Sequence, residues 1–241
     1  GVSLVLFLGA LLAKEQAVVL PFLVMAYEMC FSVRSQRETV KKNWLPVAGL
    51  GAVLAGYFFL RKILFGFSIT RMFDRDGEFW LRLLAIPRSL LTYGRLIFFP
   101  YDIHYYRSQD ILLPFFWPLA GMIIVLLAMG WALYLAPKAQ RKMMVFGLAW
   151  FSISLAPTSN IVPLFNEYSQ ILTAEHFLYF PLMGMLLFVA EPVHYWMTRA
   201  DSGRRMHMVF VGLASVMIFC IATVVRLNTY WRGEIPLFER T

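Results

Sequence analysis

The stretch that decides the fold is Phe115-Phe-Trp-Pro-Leu-Ala-Gly-Met-Ile-Ile-Val-Leu-Leu-Ala-Met-Gly-Trp-Ala-Leu-Tyr-Leu-Ala136. It carries no charge and matches the ~20 residues that take a helix across a bilayer. In lipid a backbone must satisfy its own N–H and C=O groups, so an apolar run of this length reads as a helix. Working outward, similar runs occupy 1–13, 17–32, 44–60, 143–156, 174–197 and 208–226. The chain is 60% hydrophobic, 17% aromatic and only 15% charged. A soluble domain is roughly a quarter charged, whereas lipid-facing helices and interfacial belts absorb such an aromatic surplus. The sequence therefore predicts an all-α fold, a polytopic transmembrane helical bundle of about seven spans.

The net charge of +8 falls mostly in short connections between these runs. The connections 34–43, 137–142 and 198–205 are all basic, and the positive-inside rule places all three in the cytoplasm. Lys14-Glu15, the stretch 61–114, the stretch 157–173 and the C-terminal tail then share the outer face. Topology, anionic head groups and phosphates account for the basic residues, so nucleic acid is not the expected partner. Residues 1–13 lack the basic n-region and cleavage site of a signal peptide. Both ends read as cuts in a longer chain. Cys30 and Cys220 lie within apolar runs, and imply neither a disulfide framework nor a metal site.

Residues 79–99 are long enough to span but carry Arg82, Arg88 and Arg95 and are interrupted by Pro87. Arg88, Thr92 and Arg95 share one helical face, with Leu83, Leu84, Leu90, Leu91, Ile97 and Phe98 supplying the apolar remainder. This pattern predicts an amphipathic helix lying in the outer interface. A span here would also reverse every later loop.

Polar residues gather at the outer boundary. Lys14-Glu15 separates two apolar runs with almost no loop between them. An ionisable pair at that depth is a functional hypothesis unless it is a hairpin whose lysine snorkels to the head groups. Glu175 and His176 open the run 174–197, with Tyr179 one turn on from Glu175. A helix start attracts anions; the same residues also suit a simple cap. Asp102, His104, Tyr105, Tyr106 and Arg107 follow the interfacial helix, as a sugar-facing loop or as belt material. Asp74 and Asp76, beside Arg71 and Arg75, read as a solvated turn. Glu191, His194 and His207 sit near cytoplasmic helix ends, in structural roles. The outer group suits a lipid-linked phosphate, held by cations with a carboxylate nearby. On residues alone, transporter and scaffold stay open.

The segments Ala13-Lys-Glu-Gln16, Ala174-Glu-His-Phe-Leu-Tyr-Phe-Pro181 and Asn228-Thr-Tyr-Trp-Arg-Gly-Glu-Ile-Pro-Leu-Phe238 are short, but their order is informative. Between them lie Thr70-Arg-Met-Phe-Asp74 and a Leu91-Thr-Tyr93 helix that ends in Pro100 and is followed by Asp102. In this order the chain resembles the membrane region of the tetratricopeptide-repeat-containing O-mannosyltransferases and their prokaryotic relatives, in the GT-C glycosyltransferase class. The resemblance implies that 1–226 is the C-terminal part of a GT-C-like membrane domain, with 61–114 an external loop, and that 227–241 opens an external helical repeat region. It further implies an enzyme that moves a sugar, such as mannose, from a polyprenyl-phosphate donor to an acceptor hydroxyl. The acceptor is a protein or a glycan, the membrane is a bacterial inner membrane or an ER-type membrane, and the active face and C-terminus are extracytoplasmic. The lipid-linked sugar is a substrate, and no cofactor or metal is implied. Lys14 and Glu15 match the family's Lys-Glu, and Glu175 and Tyr179 match its Glu-Arg-x-Leu-Tyr motif. His176 stands where the family carries Arg, so it would bind phosphate with a pH-dependent charge and without a bidentate fork. Lys14, His176 and Arg95 are expected on the donor phosphate, with Glu15, Glu175, Tyr179 and Asp102 in support. The class's acidic catalytic motif is expected N-terminal to Gly1, so no residue here is assigned as general base. The rival expectation is a non-catalytic membrane anchor that displays an extracytoplasmic repeat domain.

Overall fold

The computed structural model describes residues 2–32, 36–65, 78–100, 107–108, 116–158, 172–198 and 202–229. The apolar runs fold as helices: α1 (Val2–Ala13), α2 (Leu20–Phe31), α3 (Gln36–Phe65), α5 (Phe116–Leu135), α6 (Lys138–Leu155), α7 (Tyr179–Thr198) and α8 (Ser202–Asn228). The segment expected to be amphipathic forms α4 (Glu78–Phe98). Among the described residues three helices are long and apolar enough to cross a membrane, over Val47–Leu64 in α3, Phe116–Leu135 in α5 and Gly203–Arg226 in α8. The other expected spans fall short for identifiable reasons. α1 and α2 have 12 residues each. α6 opens with Lys138, Arg141 and Lys142, and the apolar run of α7 is diluted by Glu191, Pro192 and His194.

The basic connections are shorter than the sequence predicts, because helix extends into them. α3 begins at Gln36 and takes in Arg37, Lys41 and Lys42, all good helix formers. α6 begins directly after Pro137, and α8 takes in Arg204 and Arg205. Two of these arginines close the preceding helix. Arg141 donates from Nε to the carbonyl of Ala136 (2.9 Å) and from Nη2 to that of Tyr134 (2.8 Å), at the end of α5. Arg205 donates from Nη1 to the Trp196 carbonyl (3.1 Å) and stands over the Trp196 ring at 5.4 Å. The last carbonyls of a helix lack intrahelical donors, and its C-terminal end favours cations, so a guanidinium serves both needs.

α6 is the hub. It packs most extensively on α7 and also meets α2, α5 and the turn after α1. The α6–α7 crossing is set by two glycines. A Cβ at Gly147 would lie 2.6 Å from the Gly184 carbonyl oxygen and 2.7 Å from the Phe188 nitrogen. A Cβ at Gly184 would collide in turn with the Gly147 carbonyl and the Phe151 nitrogen. Small residues that let backbones touch are a general device for membrane helix pairs. Beside this crossing, Tyr27 and Phe31 of α2, Phe146 and Trp150 of α6 and Phe180 of α7 form a chain of ring contacts at 5.1 to 5.8 Å. Trp150 also donates from Nε1 to the Phe180 carbonyl at 3.0 Å.

α4 buries one face and exposes another, as its pattern predicts. Tyr93 (1% exposed) and Leu96 join Leu155, Ala174, Phe177 and Leu178 in a buried cluster, with Leu90, Ile97 and Phe151 packed against it. Arg95 and Phe98 are exposed. A short antiparallel bridge pairs Arg107 with Thr173 and Ser108 with Leu172. It ties the chain after α4 to the chain just before α7, the two stretches that the threading puts on one face.

Candidate functional site

The two charged segments singled out in the sequence adopt the same local shape. Lys14 (φ −153°, ψ 125°) and Ala174 (φ −138°, ψ 141°) are both extended, and each is followed by a 3₁₀ turn that opens on a glutamate. The turns are Glu15–Val19 and Glu175–Phe177. In each, the amide three residues on donates back to the extended residue: Ala17 to the Lys14 carbonyl at 3.0 Å, Phe177 to the Ala174 carbonyl at 3.1 Å. A proline explains why helix begins late in both cases. Pro21 and Pro181 have no N–H and sit most easily within the first helical turn, where none is needed, in keeping with α2 starting at Leu20 and α7 at Tyr179. Sequence reading put Glu175 and Tyr179 on one helix. They belong to different elements, and Tyr179 is 77% exposed at the start of α7.

Burial, and then the nearby Lys14 ammonium, hold the His176 pKa below the ordinary histidine value. His176 lies outside the three candidate spans, with its ring 4.4 Å from that of Phe177. Lys14 and His176, both expected on a phosphate, are thus close enough for the ammonium to bear on the imidazole's charge. Glu15 turns to a different partner. Its Oε1 takes a 2.6 Å ion pair from Arg61 Nη2, with the side chains 32% and 19% exposed respectively. Arg61 lies near the end of α3, and its Nη1 also donates to the Tyr57 hydroxyl, one turn earlier, at 3.4 Å. The other carboxylate oxygen, Glu15 Oε2, is buried without a hydrogen-bond partner among the described residues.

Glu175 lies close enough to the Tyr93 phenol of α4 to bear on its ionisation. The Tyr93 pKa is pushed up to about 12, chiefly by burial, against the lowering influence of the Ala174 backbone, with Glu175 adding to the rise. Among the described residues the phenol oxygen closes no well-formed hydrogen bond. The face of α4 bearing Tyr93 therefore rests on the turn that carries Glu175 and His176. Arg95 is two residues from Tyr93, on the exposed side of α4, and is not gathered with Lys14 and His176. Asp102 lies outside the described residues, as do His104, Tyr105, Tyr106, Asp74, Asp76 and the tail from 230 onward.

The chain matches no family model, and no curated protein or solved structure is similar to it. The site therefore rests on its own residues. Sequence reading missed Arg61, which it assigned to the loop 61–114, and also Tyr57 and Tyr93. For Arg61 a signal was present: Tyr57 and Arg61 are spaced i, i+4, and the threading puts Arg61 at the same boundary as Glu15. For Tyr93 there was none, because its burial comes from docking onto a segment far along the chain. Chemically, the arrangement sets the Lys14 ammonium, with the His176 imidazole near it, beside a carboxylate that Arg61 fixes. It can hold an anion and accept a hydrogen bond from a neutral group next to it.

Proposed function

We propose that this chain is part of a membrane glycosyltransferase that takes a sugar, such as mannose, from a polyprenyl-phosphate donor and passes it to an acceptor hydroxyl. What supports the reading is that Lys14 lies near enough to His176, far along the chain, to bear on its charge, each in a turn that flanks an apolar helix. A lipid-linked phosphate brings its charge to that depth on an apolar tail. The GT-C-like architecture belongs to the same proposal: α1, α2, α6 and α7 complete a bundle of about seven spans around α3, α5 and α8. α4 then lies in the interface, and the site faces the extracytoplasmic side of a bacterial inner membrane or ER-type membrane. The paired strands that join the two long connections support a shared face for them.

In this reading a carboxylate base removes the acceptor proton as the hydroxyl oxygen attacks the anomeric carbon and the bond to the donor phosphate breaks, with inversion. Lys14 and His176 offset charge on the departing phosphate. Arg95, on the open side of α4, suits a head group approaching from the membrane. Glu175 sits beside these groups on the turn that Tyr93 braces. No residue of this chain is assigned as the base. The acceptor is a protein or a glycan.

A second reading is a non-catalytic anchor for an extracytoplasmic repeat domain, and the Glu15–Arg61 pair favours it to the extent that it serves only to tie α3 to the turn after α1. Transfer of label from polyprenyl-phosphate mannose or glucose by the full-length protein separates the two. The enzyme reading predicts transfer that a Lys14→Ala, Glu175→Ala double variant loses. A folded wild type that neither binds nor turns over donor supports the anchor.

A further inference from the structure

The Glu15 carboxylate is half satisfied. Oε1 is paired to Arg61 at 2.6 Å, while Oε2 is shut off from solvent with no donor among the described residues. A buried acceptor without a donor is unfavourable, and more so when it carries charge, so such an oxygen marks either a strained fold or a place where a ligand supplies the hydrogen. The setting favours a ligand. Arg61, which holds Oε1, also donates to the Tyr57 hydroxyl, so the guanidinium that orients the carboxylate is itself held. Lys14, the residue preceding Glu15 in the chain, bears instead on the charge of His176. The two neighbours therefore offer opposite chemistry side by side: a cation for a phosphate and a carboxylate that repels phosphate but accepts from O–H.

We infer that Glu15 recognises the sugar of the lipid-linked donor, its Oε2 accepting a hydrogen bond from a sugar hydroxyl, and that Arg61 is the positioning residue that aims it. This rests on the donor reading proposed above. Lys14 with His176 then binds what every polyprenyl-phosphate donor shares, and Glu15 binds what distinguishes a sugar-bearing lipid from a bare one.

The test compares binding of polyprenyl-phosphate mannose and bare polyprenyl phosphate to the full-length protein in detergent, by native mass spectrometry with lipid titration. Glu15→Gln keeps the side chain's size, and Arg61→Lys keeps the positive charge; thermal midpoints confirm that each variant is folded. Loss of one charged hydrogen bond predicts about tenfold or more weaker binding of the sugar-bearing lipid by Glu15→Gln. Arg61→Lys should show a smaller loss of the same kind, and bare polyprenyl phosphate should bind both variants as it binds wild type. If wild type binds both lipids and Glu15→Gln weakens neither, or weakens both equally, Glu15 does not read the sugar while the donor reading survives. If wild type binds neither lipid, the donor reading falls and this assignment falls with it.

Discussion

Glu15 and Arg61 join the turn after α1 to the end of α3 through a 2.6 Å ion pair in which both side chains are mostly buried. Removing one partner leaves the other without compensation. Arg61→Met should lower stability by about 1–3 kcal/mol, a discount on the cost of breaking a fully buried pair because both groups keep some access to solvent. Thermal unfolding in detergent measures this. The exchange Glu15→Arg with Arg61→Glu should recover a good part of the loss, and a double-mutant cycle with no coupling would show that the pair contributes nothing.

The glycine crossing gives a prediction with internal controls. Alanine at Gly147 or Gly184 drives a methyl into the facing backbone, and we expect each to destabilise by about 1–3 kcal/mol. Alanine at Gly130 or Gly212, where nothing lies within 4 Å of the added carbon, should be neutral or slightly stabilising, since alanine is the better helix former. Equal effects at all four positions would remove the close approach of α6 to α7 from the account.

Tyr93 separates packing from hydrogen bonding. Its ring is fully buried beneath the turn 174–178, yet its hydroxyl has no well-formed partner among the described residues. Tyr93→Phe should therefore leave stability unchanged or raise it by up to about 1 kcal/mol. Tyr93→Ala should lower it by about 3–5 kcal/mol through the cavity left behind. A large loss in Tyr93→Phe would mean that the phenol makes a bond essential to the turn.

His176 titrates below its ordinary value because burial and Lys14 disfavour its charged form. The folded state then holds fewer protons than the unfolded one between the two pKa values. Stability should be full above the ordinary histidine pKa, fall as pH drops through that window, and level off below the folded value. His176→Gln should flatten this dependence, and Lys14→Met should move the titration upward. A bound phosphate has the opposite effect on the histidine, so donor affinity should rise as pH falls from 8 to 6 in wild type and not in His176→Gln. Unfolding midpoints and lipid titrations across that range supply both readings.

The helices were legible because a bilayer demands long apolar runs, and charged or proline-containing stretches punctuate them. The amphipathic character of α4 was legible for the same reason, since Arg88 and Arg95 interrupt its apolar residues at a helical period. Helix starts at Leu20 and Tyr179 were missed by a few residues, although Pro21 and Pro181 mark them. Early starts at Gln36, Lys138 and Ser202 were missed because basic residues there are both loop-like by charge and good helix formers. At the site, Lys14, Glu15, Glu175 and His176 announced themselves as ionisable residues at the ends of apolar runs. Their partners did not. That Arg61 meets Glu15, that Lys14 comes near enough to His176 to bear on its charge, and that Tyr93 carries α4 onto Ala174 are matters of tertiary packing, and periodicity along one helix says nothing about which residue of another helix it faces.

The central claim is that Lys14 and His176 hold the phosphate of a lipid-linked sugar during transfer. Its most direct test is the initial rate of mannose release from polyprenyl-phosphate mannose by the full-length protein, compared between wild type and Lys14→Ala variants of matched thermal midpoint. The account predicts turnover by wild type and a loss in kcat/KM of at least about tenfold in the variant, the worth of one charged contact in the transition state. Equal rates in the two proteins, or no turnover by a folded wild type, would contradict it.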